Sequence, residues 1–383
     1  MRSGDVALAR LDSAHHQTVV TGGRFAREHH AHALVTRNSR RSSRVGSPRA
    51  HRTGSARLPS VPVTVREDRS QSILTENVVG DVDYRWTLNP YRGCEHACTA
   101  CYARGSHEYL DLDPGDDFDR IIVAKRDAAA LLREAFERDA WRGATITFSS
   151  ITDPYQPVEK ELEITRQCLE VCLEYRNPVR IVTKSPLAAR DLDLFVALHA
   201  EARCRVDVSV AFTDAALCRS VEPGAPSPDE RFELMAQIAR AGVPVGVMAA
   251  PIIPGLGDEQ LPGVLERAAA AGATSACWAL LRLPEPTATV FADRLRRDVP
   301  AAAERVLNRA RASRGHSDPA DRPFHVRGSG GGAHAAAIAA MFDVTTRRLG
   351  LVARPFSKAA EAGLPPTTFR RPPKAQLDLL ARP

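Results

Sequence analysis

Six short apolar segments alternate with helical segments from about residue 80 onward, and this alternation limits the folds open to the chain. Each segment is rich in β-branched residues and ends at a turn, as strands do. The predicted strands are 83–88, 144–149, 179–183, 205–211, 244–250 and 275–281. The predicted helices are 126–139, 157–175, 186–202, 227–241, 258–271 and 298–312. Strand–helix alternation is typical of parallel β/α units, so we predict an α/β fold, a partial (β/α)6 TIM-like barrel. In such barrels the functional groups lie at the carboxyl ends of the strands.

The two ends of the chain differ in composition from this central part. Residues 1–60 hold eleven arginines and three acidic residues, a net charge of +8, and show no helical or strand periodicity. The whole chain carries +6, so the remainder is slightly acidic at −2. We predict a disordered basic head over 1–60, a core over 72–315 and a C-terminal extension over 316–383. The head is either a dispensable tail or a basic arm that contacts nucleic acid.

Composition argues against several classes of protein. No run of eighteen apolar residues is present, so we expect no membrane span. Eight cysteines in 383 residues are too few for a disulfide scaffold, and the first residues show no secretory segment. We therefore expect a cytoplasmic protein with free thiols.

Three cysteines follow the first predicted strand in the segment NPYRGCEHACTACYAR, residues 89–104. Cys94, Cys98 and Cys101 form a C-x3-C-x2-C pattern. Thiolates in such a group bind zinc or an iron–sulfur cluster. A structural zinc site usually closes with four ligands, and His96 lies too near the cysteines along the chain to complete one easily. A [4Fe–4S] cube held by three cysteines leaves one iron open to an external molecule, which accounts for the absent fourth ligand.

This pattern after the first strand of a β/α barrel resembles the radical S-adenosylmethionine (SAM) superfamily. Further segments occur in the order found in its spore photoproduct lyase-like, DNA-repair-photolyase-like branch. The segments are SSITDPYQPVE (149–159), VTKSP (182–186), VSVAFTD (208–214), VEPGAPSPDER (221–231) and PIIPGLGD (251–258). Together they make the resemblance far more specific than any one of them.

The resemblance implies cofactors and a reaction. A [4Fe–4S] cluster would be held by Cys94, Cys98 and Cys101, and SAM would bind its open iron. The reduced cluster would cleave SAM to methionine and a 5′-deoxyadenosyl radical, which abstracts a hydrogen atom from the substrate. A one-electron reductant such as flavodoxin or ferredoxin would supply the electron.

The resemblance also implies SAM contacts near the cysteines. Tyr102, directly after the third cysteine, corresponds to a family residue near SAM. Ser150, Thr152 and Asp153 follow the second strand, where the family contacts the amino-acid end of SAM. The residue before the last cysteine is usually aromatic in the superfamily and packs near adenine, but here it is Ala100. The departure affects the adenine pose and removes no cluster ligand.

The candidate residues on and after the later strands each have more than one interpretation. Lys184 ends the third strand, where it would pair with the SAM carboxylate; without the resemblance it is an exposed lysine. Ser209 on the fourth strand would face the ribose or methionine part of SAM, or is a small core residue. Glu222 is a SAM neighbour or a loop carboxylate. Some lyase-like relatives use a cysteine as hydrogen donor to a product radical, and Cys277 on the last strand is the candidate for that catalytic role.

The substrate is less constrained than the cofactors. The resemblance favours a nucleic-acid lesion, and hence nucleic acid as a partner, but fold and cofactor do not determine substrate. One alternative is a radical SAM enzyme that acts on a small molecule, a peptide or RNA. Another is a non-catalytic zinc or iron–sulfur module that binds a partner through its basic head.

Overall fold

The computed structural model describes residues 62–77, 84–314, 330–354 and 366–373. The predicted head over 1–60 lies outside these ranges, as does part of the predicted C-terminal extension. The three domain boundaries therefore stay a prediction. Within the described ranges, no helix is both long enough and apolar enough to cross a membrane.

A single large sheet forms the centre of the described residues. The strands are β1 (Thr64–Glu67), β2 (Leu74–Glu76), β3 (Trp86–Leu88), β4 (Tyr91–Arg92), β5 (Ile121–Ala124), β6 (Ile146–Phe148), β7 (Val179–Thr183), β8 (Cys204–Ser209), β9 (Val245–Ile252), β10 (Ser275–Leu280) and β11 (Val352–Ala353). Eight of them form the sheet in the order β11-β10-β9-β8-β7-β6-β3-β2. Every pair from β3 to β11 is parallel, and β2 runs antiparallel to β3. All six predicted strands are present and the sheet stays open at its edges, so the predicted α/β partial barrel is confirmed.

Helices connect the parallel strands. They are α1 (Asp116–Arg120), α2 (Ala128–Glu137), α3 (Glu159–Leu162), α4 (Ile164–Glu174), α5 (Leu192–Glu201), α6 (Ala215–Val221), α7 (Pro228–Arg240), α8 (Leu261–Ala270), α9 (Thr287–Asp298), α10 (Ala303–Arg314) and α11 (Gly332–Leu349). The helix predicted over 298–312 corresponds to α10, and the sequence patterns missed α9 and α6. Short 3-10 helices at Tyr102–Leu110, Pro186–Asp191 and Asp258–Gln260 lie at the carboxyl side of strands.

The single helix predicted over 157–175 was wrong, because the chain breaks between α3 and α4. Glu163 at the break has a φ of 51°, which lies in the left-handed region. The buried carboxylate of Glu159 accepts a hydrogen bond from the backbone N–H of Thr165 at 3.0 Å. Arg190 donates to the same carboxylate at 2.8 Å. Glu159 thus satisfies a free N–H in the first turn of α4, which favours a new helix start over a continuous helix.

A second, three-stranded sheet in the order β1-β5-β4 lies beside the large one and was not predicted. β1 pairs parallel with β5, and β4 pairs antiparallel with β5. β4 ends two residues before Cys94. The small sheet therefore delivers the chain to the start of the cysteine segment.

Side chains alternate between the two faces of the parallel sheet, as the pleat requires. On β8, Val206 and Val208 face the helices and are fully buried in the main apolar core. Asp207 and Ser209 face the interior of the barrel, where they are also buried. The interior positions of β8 are therefore polar. They place a buried charge at the floor of the barrel, and a cavity lies above this charge.

The floor of the barrel is a buried ion cluster around Asp207. Its carboxylate accepts hydrogen bonds from Arg180 Nε at 2.5 Å, from Arg205 Nη2 at 2.7 Å and from Arg354 Nη1 at 3.0 Å. Burial raises the pKa of Asp207, but the three guanidinium groups outweigh it and hold the pKa well below its usual range. Arg354 follows β11, so this cluster also fastens the last strand to the barrel.

Candidate active site

A cavity opens at the carboxyl ends of the parallel strands, where barrel enzymes place their functional groups. It encloses about 1200 Å³ of space, its open mouth included. The predicted site residues that line it are Cys94, Cys98, Cys101, Tyr102, Ser150, Thr152, Asp153, Lys184 and Ser209, together with Ala100 and Glu222. Cys277 is 1% exposed and lies outside this lining, so the structure does not bring it together with the others.

The cysteine loop, residues 93–101, is held by backbone contacts from distant parts of the chain. The N–H of Cys94 donates to the carbonyl of Phe118 at 3.0 Å. The N–H of Thr99 donates to the carbonyl of Val221 at 2.7 Å, and the N–H of Gly224 donates to the carbonyl of His96 at 3.0 Å. These contacts join the loop to α1, to the last residue of α6 and to the segment that follows α6.

Gly93 and Arg104 fix the two ends of this loop. Gly93 has a φ of +79°, and a Cβ there would lie 2.8 Å from the carbonyl oxygen of Ile121. Arg104 is fully buried, and its guanidinium donates to the carbonyl of Cys98 at 2.8 Å and to Asp119 at 2.8 Å. Sequence reasoning missed Arg104, although it closes the quoted segment CYAR. Its buried charge is balanced by Asp119, so we assign it a positioning role for the loop.

The chemistry of the three thiols fits an iron–sulfur cluster. Burial raises the pKa of Cys94, Cys98 and Cys101, so each thiol gives up its proton only to a strongly bound metal. In the described ranges, no three His, Cys, Asp or Glu side chains converge on one point where a single metal ion could sit. A [4Fe–4S] cube needs no such convergence, because each cysteine binds a different iron. The loop and the cavity beside it therefore fit a cube held on one side.

Ser150 and Thr152 lie in a turn that Asn89 and the cysteine loop hold in place. Asn89 donates to Ser150 Oγ at 2.9 Å and accepts from the backbone N–H of Ser150 at 2.8 Å. Thr152 Oγ donates to the carbonyl of Gly93 at 2.6 Å. Tyr102 donates its hydroxyl hydrogen to the carbonyl of Ser150 at 2.5 Å and remains 44% exposed. Thr152 thus supports the cysteine loop, while Tyr102 presents its ring at the cavity wall.

Asp153 is engaged by the protein on both carboxylate oxygens. Oδ1 accepts from Thr183 Oγ1 at 2.6 Å and from the N–H of Tyr155 at 2.9 Å. Oδ2 accepts from the N–H of Lys184 at 2.8 Å and lies 3.4 Å from His96 Nδ1. Asp153 therefore joins the ends of two strands to the cysteine loop.

Lys184 is half-buried and belongs to a chain of charges with the buried residues Glu222 and Arg231. Its Nζ donates to Ser209 Oγ at 2.6 Å and lies 3.1 Å from Glu222 Oε1. Arg231 donates to the other oxygen of Glu222 at 2.5 Å. Burial raises the pKa of Glu222, but Arg231 and Lys184 outweigh it and lower the pKa to about 2. Glu222 is thus an ionised partner that holds the Lys184 ammonium at the cavity.

Arg231 is a second residue that sequence reasoning missed. It lies in the first turns of α7, which begins with a capping box. Ser227 Oγ accepts from the N–H of Glu230 at 3.3 Å, and the Glu230 carboxylate accepts from the N–H of Ser227 at 2.7 Å. The quoted segment SPDER contained the signal, since Ser and Glu three apart mark a helix start.

Comparison with known proteins identifies the domain. Residues 88–268 match the radical SAM superfamily. An uncharacterized protein of Mycobacterium tuberculosis is 42% identical over 193 residues, which cover 50% of this chain and 57% of that protein. An uncharacterized protein of Methanocaldococcus jannaschii is 28% identical over 174 residues, covering 45% of this chain and 62% of that protein. This chain therefore matches somewhat more than half the length of these relatives.

Solved structures show the same fold. A cysteine-to-serine mutant of spore photoproduct lyase aligns over 76% of this chain and 81% of its own, with a TM-score of 0.54 and 17% identity. Another structure of that lyase, with bound AdoMet and dinucleoside spore photoproduct, aligns over the same shares with a TM-score of 0.51 and 16% identity. The [4Fe–4S] cluster and SAM predicted from the sequence are the cofactors of this superfamily. The match to the radical SAM superfamily thus covers residues 88–268, and the fold is that of spore photoproduct lyase.

Proposed function

We propose that this protein is a radical SAM enzyme whose [4Fe–4S] cluster is held by Cys94, Cys98 and Cys101. When bound, the reduced cluster supplies the electron that cleaves SAM to methionine and a 5′-deoxyadenosyl radical. The observation that carries the proposal is the placement of three cysteine thiols on the wall of one cavity, with Lys184 lining the same cavity after β7.

Lys184 would hold the carboxylate of SAM. Its ammonium group reaches the cavity and is already oriented by Ser209 and Glu222. The carboxylate of SAM and the carboxylate of Glu222 would then both pair with the Lys184 ammonium. Arg231 would keep Glu222 ionised in that arrangement. Ser209 would pass from its contact with Lys184 to the ribose or methionine part of SAM, as the resemblance implies.

The turn after β6 would orient the amino-acid end of SAM. Ser150 and Thr152 are fixed by Asn89 and by the cysteine loop, so both side chains are already ordered at the cavity that the cysteines line. Preorganised groups bind a ligand at lower entropic cost. Apolar side chains such as Ile151, Val182 and Met248 line the rest of the cavity and would exclude water from a reactive intermediate.

For the substrate we propose a nucleic-acid lesion. The fold is shared with a lyase whose structure holds AdoMet and a dinucleoside spore photoproduct. The alternative substrates, a small molecule, a peptide or RNA, would enter by the same mouth.

Anaerobic reconstitution tests the proposal. Protein loaded with iron and sulfide, reduced with dithionite and given SAM, should release 5′-deoxyadenosine detectable by mass spectrometry. The electron paramagnetic resonance spectrum of its reduced cluster should change when SAM is added. A Cys98→Ala variant should lose the cluster, whereas Cys204→Ala, which removes a buried thiol away from the cavity, should keep it. Full iron and sulfide in Cys98→Ala, or a cluster that ignores SAM, would contradict the proposal.

A further inference from the structure

Arg104 places a fixed positive charge next to the cysteine loop. Its guanidinium donates from Nε and Nη2 to the carbonyl of Cys98, at 3.1 Å and 2.8 Å. Nη1 donates to the carbonyls of Pro114 and Gly115, at 3.1 Å and 2.8 Å. Nη2 also donates to Asp119 Oδ1 at 2.8 Å. These bonds use all five N–H groups of the guanidinium, so its charge is held at the loop.

A second guanidinium reaches the same place from α9. Arg294 Nη1 pairs with the other oxygen of Asp119, Oδ2, at 2.7 Å. The same nitrogen lies 3.5 Å from the carbonyl of Ala97, in the middle of the cysteine loop. The side chains of Arg294 and Asp119 are each 11% exposed. Arg104 and Arg294, which we call the guanidinium pair, therefore share one nearly buried carboxylate.

The guanidinium pair lies outside the cavity. Among the described residues, those that line the cavity include neither Arg104 nor Arg294, and they do not include Asp119. The pair therefore acts on the cysteine loop through its backbone and through its electric field. It makes no contact with a ligand that fills the cavity.

The carboxylates near the cysteine loop are matched by cations or are partly screened by solvent. On the cavity side, Asp153 and Glu222 are equal in number to Lys184 and Arg231, which lie beside them. Glu95 is half-buried. The carboxylates of α1 and of the turn before it are exposed or half-exposed, namely Asp113, Asp116 and Asp117. Arg104 is fully buried, so water and salt screen its charge least.

The charge of Arg104 acts on a thiol that would hold the cluster. Burial raises the pKa of Cys101, and the Arg104 guanidinium is the largest influence that opposes this rise. A nearby cation favours the thiolate because it attracts negative charge. It favours the extra electron of a reduced cluster for the same reason, and nearby charge is one of the factors that determine the potential of such clusters.

We propose that the guanidinium pair, with Asp119 between its members, sets the reduction potential of the [4Fe–4S] cluster. The proposal rests on the proposed function, since it requires a cluster on the three cysteines. Reduction adds one electron and no atom to the cluster, and dithionite supplies that electron in vitro. The two cations stabilise the reduced state, and the carboxylate limits their effect. Loss of a cation should therefore lower the potential, and loss of the carboxylate should raise it.

A redox titration followed by electron paramagnetic resonance measures this potential without SAM and without turnover. At the midpoint potential of the wild type, the ratio of reduced to oxidised cluster should be about tenfold lower in Arg104→Gln, which is about 59 mV for a one-electron couple. Asp119→Asn should raise the same ratio about threefold to tenfold. Arg104→Lys keeps the charge and should stay near the wild-type ratio.

A merely structural role of Arg104 predicts a different pattern. Arg104→Gln and Asp119→Asn break the same ion pair, so a structural role would move both variants in the same direction. It would also leave Arg104→Lys no closer to the wild type than Arg104→Gln, because lysine cannot form the fork of bonds that the guanidinium makes.

Two more variants complete the test. If Arg104→Gln binds no cluster, Arg294→Gln replaces it in the comparison, because Arg294 lies on α9 and its contact with the loop is 3.5 Å long. Arg294→Gln should lower the ratio about threefold. The matched control is Arg142→Gln, at an exposed arginine before β6 and hence at the amino-terminal end of the sheet, which should leave the ratio unchanged.

The outcomes separate this proposal from the proposed function. Shifts of the same sign on loss of a guanidinium and in Asp119→Asn, or no shift in either, would overturn the role of the guanidinium pair. A wild-type cluster that gives no 5′-deoxyadenosine with dithionite and SAM would instead contradict the proposed function, while the titration would still report on the pair. A wild type that takes up no cluster would contradict both.

Discussion

Replacing Asp207 with asparagine removes the one carboxylate that three guanidinium groups share at the floor of the barrel. Asp207→Asn keeps the volume and one acceptor oxygen but leaves Arg180, Arg205 and Arg354 without a counter-charge from this side chain. Breaking a buried ion pair by removing one partner costs about 3–5 kcal/mol. We therefore expect the free energy of unfolding to fall by about 3–5 kcal/mol at pH 7.

Asp193→Asn is the matched control for this change. Asp193 pairs with Arg166 at 2.9 Å, but its side chain is 60% exposed. Exposed ion pairs contribute about 0.2–1 kcal/mol, so the same substitution there should cost no more than that. Urea denaturation followed by tryptophan fluorescence measures both variants, since Trp278 lies on β10 and packs against the main core.

Acid should narrow the difference in stability between wild type and Asp207→Asn. The pKa of Asp207 is held well below its usual range in the folded protein, whereas an unfolded aspartate titrates near 3.9. A carboxyl group whose folded pKa is lowered stabilises the fold fully above its unfolded pKa, and this stabilisation is lost as the pH falls below it. The gap between the two proteins should therefore be constant from pH 7 to about pH 5 and narrow below about pH 4.

Hydrogen exchange adds a local readout. The N–H of Arg354 donates to the carbonyl of Ala276 at 2.8 Å and ties β11 to β10. In Asp207→Asn this amide should exchange faster than in the wild type, because the side-chain anchor of β11 is weakened. A loss of stability in Asp207→Asn no larger than in Asp193→Asn, with unchanged exchange at Arg354, would refute the reasoning.

Two further substitutions address the cavity. Gly93→Ala places a Cβ 2.8 Å from a backbone oxygen at a φ of +79°, so we expect less iron per protein after reconstitution. Gly242→Ala is the control, because its φ of +78° gives the same backbone strain but no atom lies within 4 Å of the added Cβ. It should bind as much iron as the wild type. Lys184→Met removes the cation proposed to hold the SAM carboxylate, so SAM affinity measured by calorimetry should fall by about tenfold to a hundredfold, which corresponds to about 1.4–2.8 kcal/mol. Unchanged SAM affinity in Lys184→Met, with the cluster intact, would remove Lys184 from the SAM site.

The strand pattern of the barrel could be predicted because buried parallel strands are apolar and bounded by turns. β7 occupies the predicted residues 179–183, and the other five strands lie within a few residues of their predicted positions. β1 and β11 gave no such signal, because β1 is exposed along its length and β11 has two residues. The break at Glu163 depends on the carboxylate of Glu159 in α3, which accepts a hydrogen bond from the backbone at the start of α4. The periodicity of the local sequence carries no signal of this contact.

The candidate site was predictable as a set of residues but not as a set of contacts. The sequence order placed Cys94, Lys184 and Ser209 at strand ends, and the structure brings them to one cavity. The sequence order did not reveal that Lys184 would be held by Glu222, or that Arg231 would be fully buried next to Glu222. Arginine is rarely buried without a partner, so its burial can be inferred only once Glu222 is placed in space.

The contacts between the cysteine loop and the segment after α6 also bear on how the protein is made. Thr99 and His96 are bonded to Val221 and Gly224, which leave the ribosome far later than the cysteines do. A nascent chain that has exposed only the cysteine segment lacks both bonds and the fourth barrel strand that carries them into place. Cluster delivery in the cell must therefore either wait for most of the barrel to be translated or act on a loop that is not yet held. The order of synthesis, and not the thiols alone, decides whether cluster delivery meets a free loop or a held one.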